Sequence, residues 1–404
     1  MKFKNLYFWF AASFLALALA AAGVTSWWHG RPERHLGEAE RRLAEGAWAS
    51  AAPWLELPER SAATRDRALI LRARVALASG RPGTAVAPLQ RVDPLGPRAA
   101  EAAFWKGRTL YAVGNTPLAI AWLRTALAAR PTDAESLRWL AAAAYDLGDQ
   151  RTVLESLKAL TSLKPDDARA WRTLALVTRE EPDGGELEMN AARIAYEKAL
   201  SLDPDQPRVR LEMADVLVKL GRYVEADHQL ALCRVKVPAA DHADLLAQSA
   251  WMRGEPDRCR AIVAAGLAAA PNHPGLLAMR GLIARSEGRL DIAVENFDHA
   301  VAADPFNPRW LYMRSGVLRG LGRRDEADRD GTRAAELKKA VITMSNLCAV
   351  AADQPLDSGV RIRLGQLCEF LGKRELAASW YRAALACDPR NEEARSALAM
   401  PSGR

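Results

Sequence analysis

The sequence predicts an all-helical stack of helix-turn-helix repeats, and three features point to it. Prolines recur at Pro131, Pro165, Pro204, Pro238, Pro271 and Pro305, with intervals of 34, 39, 34, 33 and 34 residues. Small residues keep fixed distances from them: Gly281, Gly288, Ala293 and Ala300 precede Pro305 as Gly107, Gly114, Ala119 and Ala126 precede Pro131. Half of the residues are hydrophobic and 26% are charged, which suits a folded chain rather than a disordered one. A period near 34 fits two antiparallel helices that cannot bury their apolar faces alone, so neighbours must stack.

The elements follow in chain order. Residues 1–4 are a short basic tail carrying Lys2 and Lys4. Residues 5–28 contain no charge, and about 20 apolar residues cross the hydrocarbon core as a helix, so a transmembrane anchor is expected there. Tyr7, Trp9, Trp27 and Trp28 stand near its borders, where amphipathic rings favour the headgroup region. A basic start followed by an apolar stretch and Ala20, Ala21 and Ala22 also suits a signal peptide. The stretch exceeds the usual apolar core of about 7 to 15 residues, which favours retention. Arg31, Arg34, Arg41 and Arg42 partly balance the two lysines, but the four-residue tail favours tail inside and repeats outside. The expected location is a bacterial inner membrane, single-pass, with the repeats on the periplasmic side.

Residues 29–61 read as a juxtamembrane segment and a degenerate first helical pair, and residues 62–339 as the main array. Its pairs are expected to start near Asp66, Ala100, Ala134, Ala168, Pro207, Ala240, Pro274 and Pro308. Asp93-Pro94, Asp203-Pro204 and Asp304-Pro305 close units, because proline lacks the N–H a helix needs and disfavours helical geometry just before it. Two segments break the metre. Residues 178–192 carry five extra positions around Glu180-Glu181-Pro182-Asp183-Gly184-Gly185, whose proline and glycines suit an extended loop. Residues 340–353 are an apolar excess, read as an elongated second helix or an additional one. Residues 354–390 hold the last repeat, starting near Ser358, and residues 391–404 a closing helix and tail.

In that last repeat Leu364, Gly365, Gly372, Ala377, Tyr381 and Ala384 lead to Asp388-Pro389. This spelling, shared with the earlier units, resembles the tetratricopeptide repeat over almost the whole chain after the first thirty residues. The resemblance implies a right-handed superhelical solenoid whose concave groove is lined by positions two, five, nine and twelve of each first helix. Those positions hold Arg67, Arg74, Arg108, Arg138, Arg169, Arg172, Arg179 and Arg208, interleaved with Phe104, Tyr111 and Tyr145. Glu101, Glu135 and Asp215 oppose them. Farther along stand Asp241, Asp244, Gln248 and Trp251, then Arg285, Arg309, Tyr312 and Arg319. Guanidinium forks bind carboxylates bidentately and stack on rings, so an acidic peptide or segment of another protein is the expected occupant. The lysine and asparagine of the family's carboxylate clamp are absent: fifth and ninth positions read Ile70/Arg74, Phe104/Arg108, Arg138/Ala142 and Arg172/Leu176. Chaperone tails are therefore not expected partners.

No catalytic, metal-binding or cofactor-binding residues are assigned. The six histidines form no H-E-x-x-H, and no phosphate-binding glycine loop or G-x-S-x-G elbow occurs. Once anchor and repeats are subtracted, no segment of domain size remains for an active site. The Asp227-His228 and Asp241-His242 dipeptides read as ordinary helix surface. The five cysteines lack C-x-x-C spacing and read as small buried residues, with a Cys233–Cys259 disulfide left open. The net charge of +7 is modest, and nucleic acid is not expected as a partner. The sequence thus points to a non-enzymatic, membrane-anchored adaptor for assembly or biogenesis of an envelope complex. The alternative is an accessory factor of polysaccharide export that grips an acidic chain.

Overall fold

Helices begin where prolines and capping residues place them. The computed structural model describes residues 31–180, 184–354 and 356–399, and among these there is helix, turn and loop but no strand. First helices start at Arg65, Ala99, Ala134, Ala168, Pro207, Ala239, Pro274, Pro308 and Ser358, each within one residue of the start read from the metre. Pro207, Pro274 and Pro308 open their helices, where a missing N–H costs nothing. Asp167 caps the next helix by accepting the Ala170 N–H at 3.0 Å, and Asp357 accepts from Gly359 at 2.8 Å. Outside the extended linker before Glu186–Leu202, the turn from a first helix into its partner uses a glycine with positive φ. At Gly288 φ is +76°, and the Arg289 N–H returns to the Ala284 carbonyl at 2.9 Å, a closure that a residue with a Cβ adopts only under strain.

The small residues of the repeat stand where helices cross. A methyl on Gly281 would lie 3.0 Å from the Phe297 ring, one on Gly365 2.5 Å from the Tyr381 ring, and one on Gly107 2.7 Å from Leu123. Large side chain and glycine therefore fill one another's space, which is why the two recur at a fixed offset.

The chain divides between Ser136 and Leu137 into two compact units. In the first, Leu36, Leu55, Leu71 and Val75 form one core and Leu69, Ile70, Leu89 and Val92 another. Its early pairs are irregular. The partner of helix Pro32–Ala44 is split into Trp48–Ala51, a 3-10 turn Ala52–Leu55 and Glu56–Arg60; the partner of Arg65–Ala78 is a 3-10 turn Pro82–Ala85 and a short helix Val86–Gln90. Pro53, Pro82 and Pro88 explain the interruptions. Helices Ala99–Ala112 and Thr116–Ala129 restore the regular form.

In the second unit consecutive pairs pack on one another in chain order up to the closing helix Glu392–Ala399. Both breaks in the metre show up here. The 178–192 surplus is shared between the linker and the second helix Glu186–Leu202, which has 17 residues against 14 in Gln150–Leu163. Residues 181–183 lie outside the described residues. The 340–353 excess continues helix Arg324–Asp353, a single helix of 30 residues. All five cysteines are free, so the Cys233–Cys259 bridge is not formed. Cys233 instead donates to the Leu230 carbonyl of its own helix at 3.5 Å. Among the described residues no helix is long and apolar enough to cross a membrane. The anchor read at 5–28 lies outside the described residues.

Candidate functional site

First helices of both units carry the arginines picked out from the sequence, and the structure sorts them into three groups, each within one unit. In the first unit Arg67 is held by Glu40, whose two carboxylate oxygens each lie 2.8 Å from Nη2, with Glu33 at 3.4 Å. A cleft of about 720 Å³ beside it is lined by Glu33, Asp66, Asp93 and Glu101 as well as Arg67 and Arg98. This stretch is of mixed charge, not basic. The acidic residues stood outside the four positions read from the repeat, apart from Glu101.

The second group gathers on Trp105. The guanidinium carbons of Arg74 and Arg108 stand 5.2 and 5.3 Å from its ring centroid, within cation–π range, and buried Phe104 meets it edge-on at 5.1 Å. Burial lowers the Arg108 pKa below its ordinary value, although Glu135 opposes this. Tyr111, a turn farther on, is half-buried. Trp105 was missed because it follows the fifth position of its helix instead of occupying it.

The third group lies in the second unit. Arg138 Nη2 binds Asp167 at 2.7 Å. Burial acts to raise the Asp167 pKa, but the Ala170 N–H and the Arg138 guanidinium hold it below the usual carboxylate range. Arg172 grips Glu212 with two donors at 3.1 and 2.7 Å, and Arg208 reaches the same carboxylate at 3.5 Å. Three residues after Glu212, Asp215 takes Lys219 at 2.8 Å and Arg179 at 3.4 Å; Glu180 also touches Arg179. Tyr196 is fully buried, and among the described residues its hydroxyl has no hydrogen-bond partner. Burial drives its pKa far up, and Arg179, Glu212, Asp215 and Arg172 all act on it. Arg169 is exposed, Arg208 has an 82% exposed side chain and Tyr145 is half exposed. Arg172, Arg179 and Arg208 are thus brought together by two adjacent first helices.

Farther along, Trp251 packs partly buried against the core, whereas Tyr312 is 69% exposed. One carboxylate oxygen of Asp244 has no partner among the described residues, and its pKa is raised chiefly by burial, against the Gln248 hydrogen bond. The two Asp-His dipeptides belong to the structure of the stack. Asp227 accepts Ser249 at 2.7 Å and Arg253 at 3.1 Å; buried His242 bonds the Leu230 carbonyl at 3.0 Å, and His273 meets Asp241 at 3.1 Å. Among the described residues no group of three histidine, cysteine or acidic side chains is placed to hold a metal ion.

Family models described as tetratricopeptide repeat match residues 70–134, 106–151, 245–308 and 278–328, a second such model matches 188–248 and a third 359–391, together more than half of the chain. The chain is a tetratricopeptide-repeat protein. Among solved structures, a tetratricopeptide repeat protein from Parabacteroides merdae is 18% identical, with a TM-score of 0.45 over 63% of this chain and 98% of that one. PilW, a type IV pilus biogenesis factor, is 15% identical, with a TM-score of 0.36 over 66% and 98%. Human IFIT1 is 15% identical, with a TM-score of 0.41 over 88% and 90%. A comparison with curated proteins finds no match. In this tetratricopeptide-repeat array, Glu212 and Asp167 are the further residues that reading the four positions passed over. Asp167 caps a helix just before its first position, and Glu212 stands one residue after a fifth position.

Proposed function

We propose that this tetratricopeptide-repeat protein is a scaffold that holds an acidic segment of another protein on the face of its first helices. Proteins of this family mediate protein–protein interactions, and the feature that carries the finer reading is the cluster on two adjacent repeats. Arg169, Arg172, Arg179, Arg208 and Lys219 stand there with Glu180, Glu212 and Asp215, so among the described residues of the cluster cations outnumber carboxylates, and Arg169 and Arg208 are exposed. A partner carboxylate entering beside Arg169 meets the exposed Arg208 guanidinium, which Glu212 already orients, at reduced ordering cost.

The uncharged segment 5–28 supports a tether to a membrane, with the repeats on its outer side. Tethering raises the effective concentration of a captured protein for others at the same surface, which suits assembly of an envelope complex. Digestion of the repeats by protease added to intact spheroplasts is the expected sign of that topology; full protection would reverse it.

The test of the groove starts by naming the partner through proximity labelling from the C-terminal end. Arg169→Glu with Arg208→Glu is then expected to weaken its capture at least tenfold. These two are chosen because both are exposed and Arg208 meets Glu212 only at 3.5 Å, whereas Arg108, Arg138 and Arg172 are packed on Trp105 or closely paired with Asp167 and Glu212, so reversing them would disturb the stack itself. Unchanged capture would remove the arginine reading. Tight binding of an anionic polysaccharide, with no acidic peptide bound, would move the function to polymer export.

A further inference from the structure

In a stack of helix pairs each member ordinarily touches only its neighbours in sequence. The second unit departs from this at one seam. Residues 340–353, the part of helix Arg324–Asp353 beyond an ordinary repeat, reach back to the turn at Leu147 and Gly148 and to helix Gln150–Leu163. The Cys348 thiol donates to the Leu147 carbonyl at 3.6 Å, across 201 positions of chain. A methyl on Gly148 would lie 3.4 Å from Met344 Cε and 3.7 Å from Leu376 Cδ2, so the last repeat also closes on this turn. Ala340, Met344, Cys348 and Ala351 are all buried and recur at helical spacing, which makes one stripe of the long helix. Met344 Sδ is also 3.8 Å from Cys368 Sγ, which binds the stripe to helix Ser358–Phe370.

The seam is narrow. Beside it opens a cleft of about 450 Å³ whose lining is mostly polar, with Gln150, Arg151, Lys158, Ser345 and Asn346 interrupted by Leu154 and Ile342. Ordinary repeats of the same unit bury broad apolar sets such as Leu276, Ile283, Phe297, Trp310 and Val317. Apolar stabilisation scales with the area hidden from water, so parting the seam costs far less than parting a repeat. The displacement needed is shared among the intervening repeats, each of which bends slightly.

We propose that residues 340–353 are a strap that closes the second unit on itself, and that the unit alternates between closed and open forms by releasing this seam while every helix pair stays folded. The strap thereby regulates the width of the face on which a partner lies. It does so whatever that partner is.

The native thiols report the motion. Cys348 is buried in the seam, whereas Cys233 and Cys259 are buried inside ordinary pairs, and burial raises the pKa of all three, so each reacts only when its surroundings open. Site-resolved alkylation of the full chain with iodoacetamide is expected to modify Cys348 at least tenfold faster than Cys233 and Cys259. Leu376→Asp, at a half-buried site on the seam, is expected to speed Cys348 modification further and to raise hydrogen exchange in residues 147–160. The rates at Cys233 and Cys259 should not change. Equal rates at the three thiols, or acceleration of all three together in the variant, would show that opening is global unfolding and would overturn the strap.

Discussion

Two side chains show how single positions set the stability of the stack. Asp244 has a raised pKa because burial penalises its charge, and one of its oxygens has no partner among the described residues. The folded form therefore binds that proton more tightly than the unfolded chain does, and stability falls as pH rises from about 3.9 through the folded pKa. Asp244→Asn is expected to raise the melting temperature at pH 7, with the gain vanishing below about pH 4; thermal melts at the two pH values check it. Gly365 makes the opposite point. A methyl there meets the Tyr381 ring, so Gly365→Ala is expected to cost about 1–3 kcal/mol in urea unfolding. The glycine was readable in the sequence through its offset from Tyr381. The burial of the Asp244 carboxylate was not, since it comes from the neighbouring pair, where Gly275 leaves the space that carboxylate takes.

At the level of single helices, starts and stops were legible because they depend on local chemistry: proline at the first turn, Asp or Asn before it, glycine after it. Asp167 combines two such functions, as the cap of helix Ala168–Arg179 and the partner of Arg138. Asp167→Ala is expected to cost about 1–2 kcal/mol and to raise hydrogen exchange in residues 168–171. Asp167→Asn keeps the cap and should cost less. Because its folded pKa is depressed, the contribution of Asp167 is present above about pH 3.8 and is lost as pH falls through the folded value, so the Ala variant and the parent should converge in acid. The broken helices of the first unit and the pairing of the arginines were less readable. A register of four positions per helix omits Glu40, Trp105, Asp167 and Glu212, and these decide which guanidinium groups are engaged.

For each unit as a whole, the proline metre carried the stacking order, since neighbour-to-neighbour packing follows from any repeat that cannot cover its own apolar face. It said nothing of the contact between Cys348 and Leu147, because a pairing across some two hundred residues leaves no periodic mark. That contact also limits how the second unit can change its length. An open array gains or loses a module at almost any joint, but here residues 340–353 must land on Leu147 and Gly148 after a fixed number of steps. With one module more or fewer, Met344 and Cys348 would arrive a full step from their seat, so the chain in effect counts its own repeats.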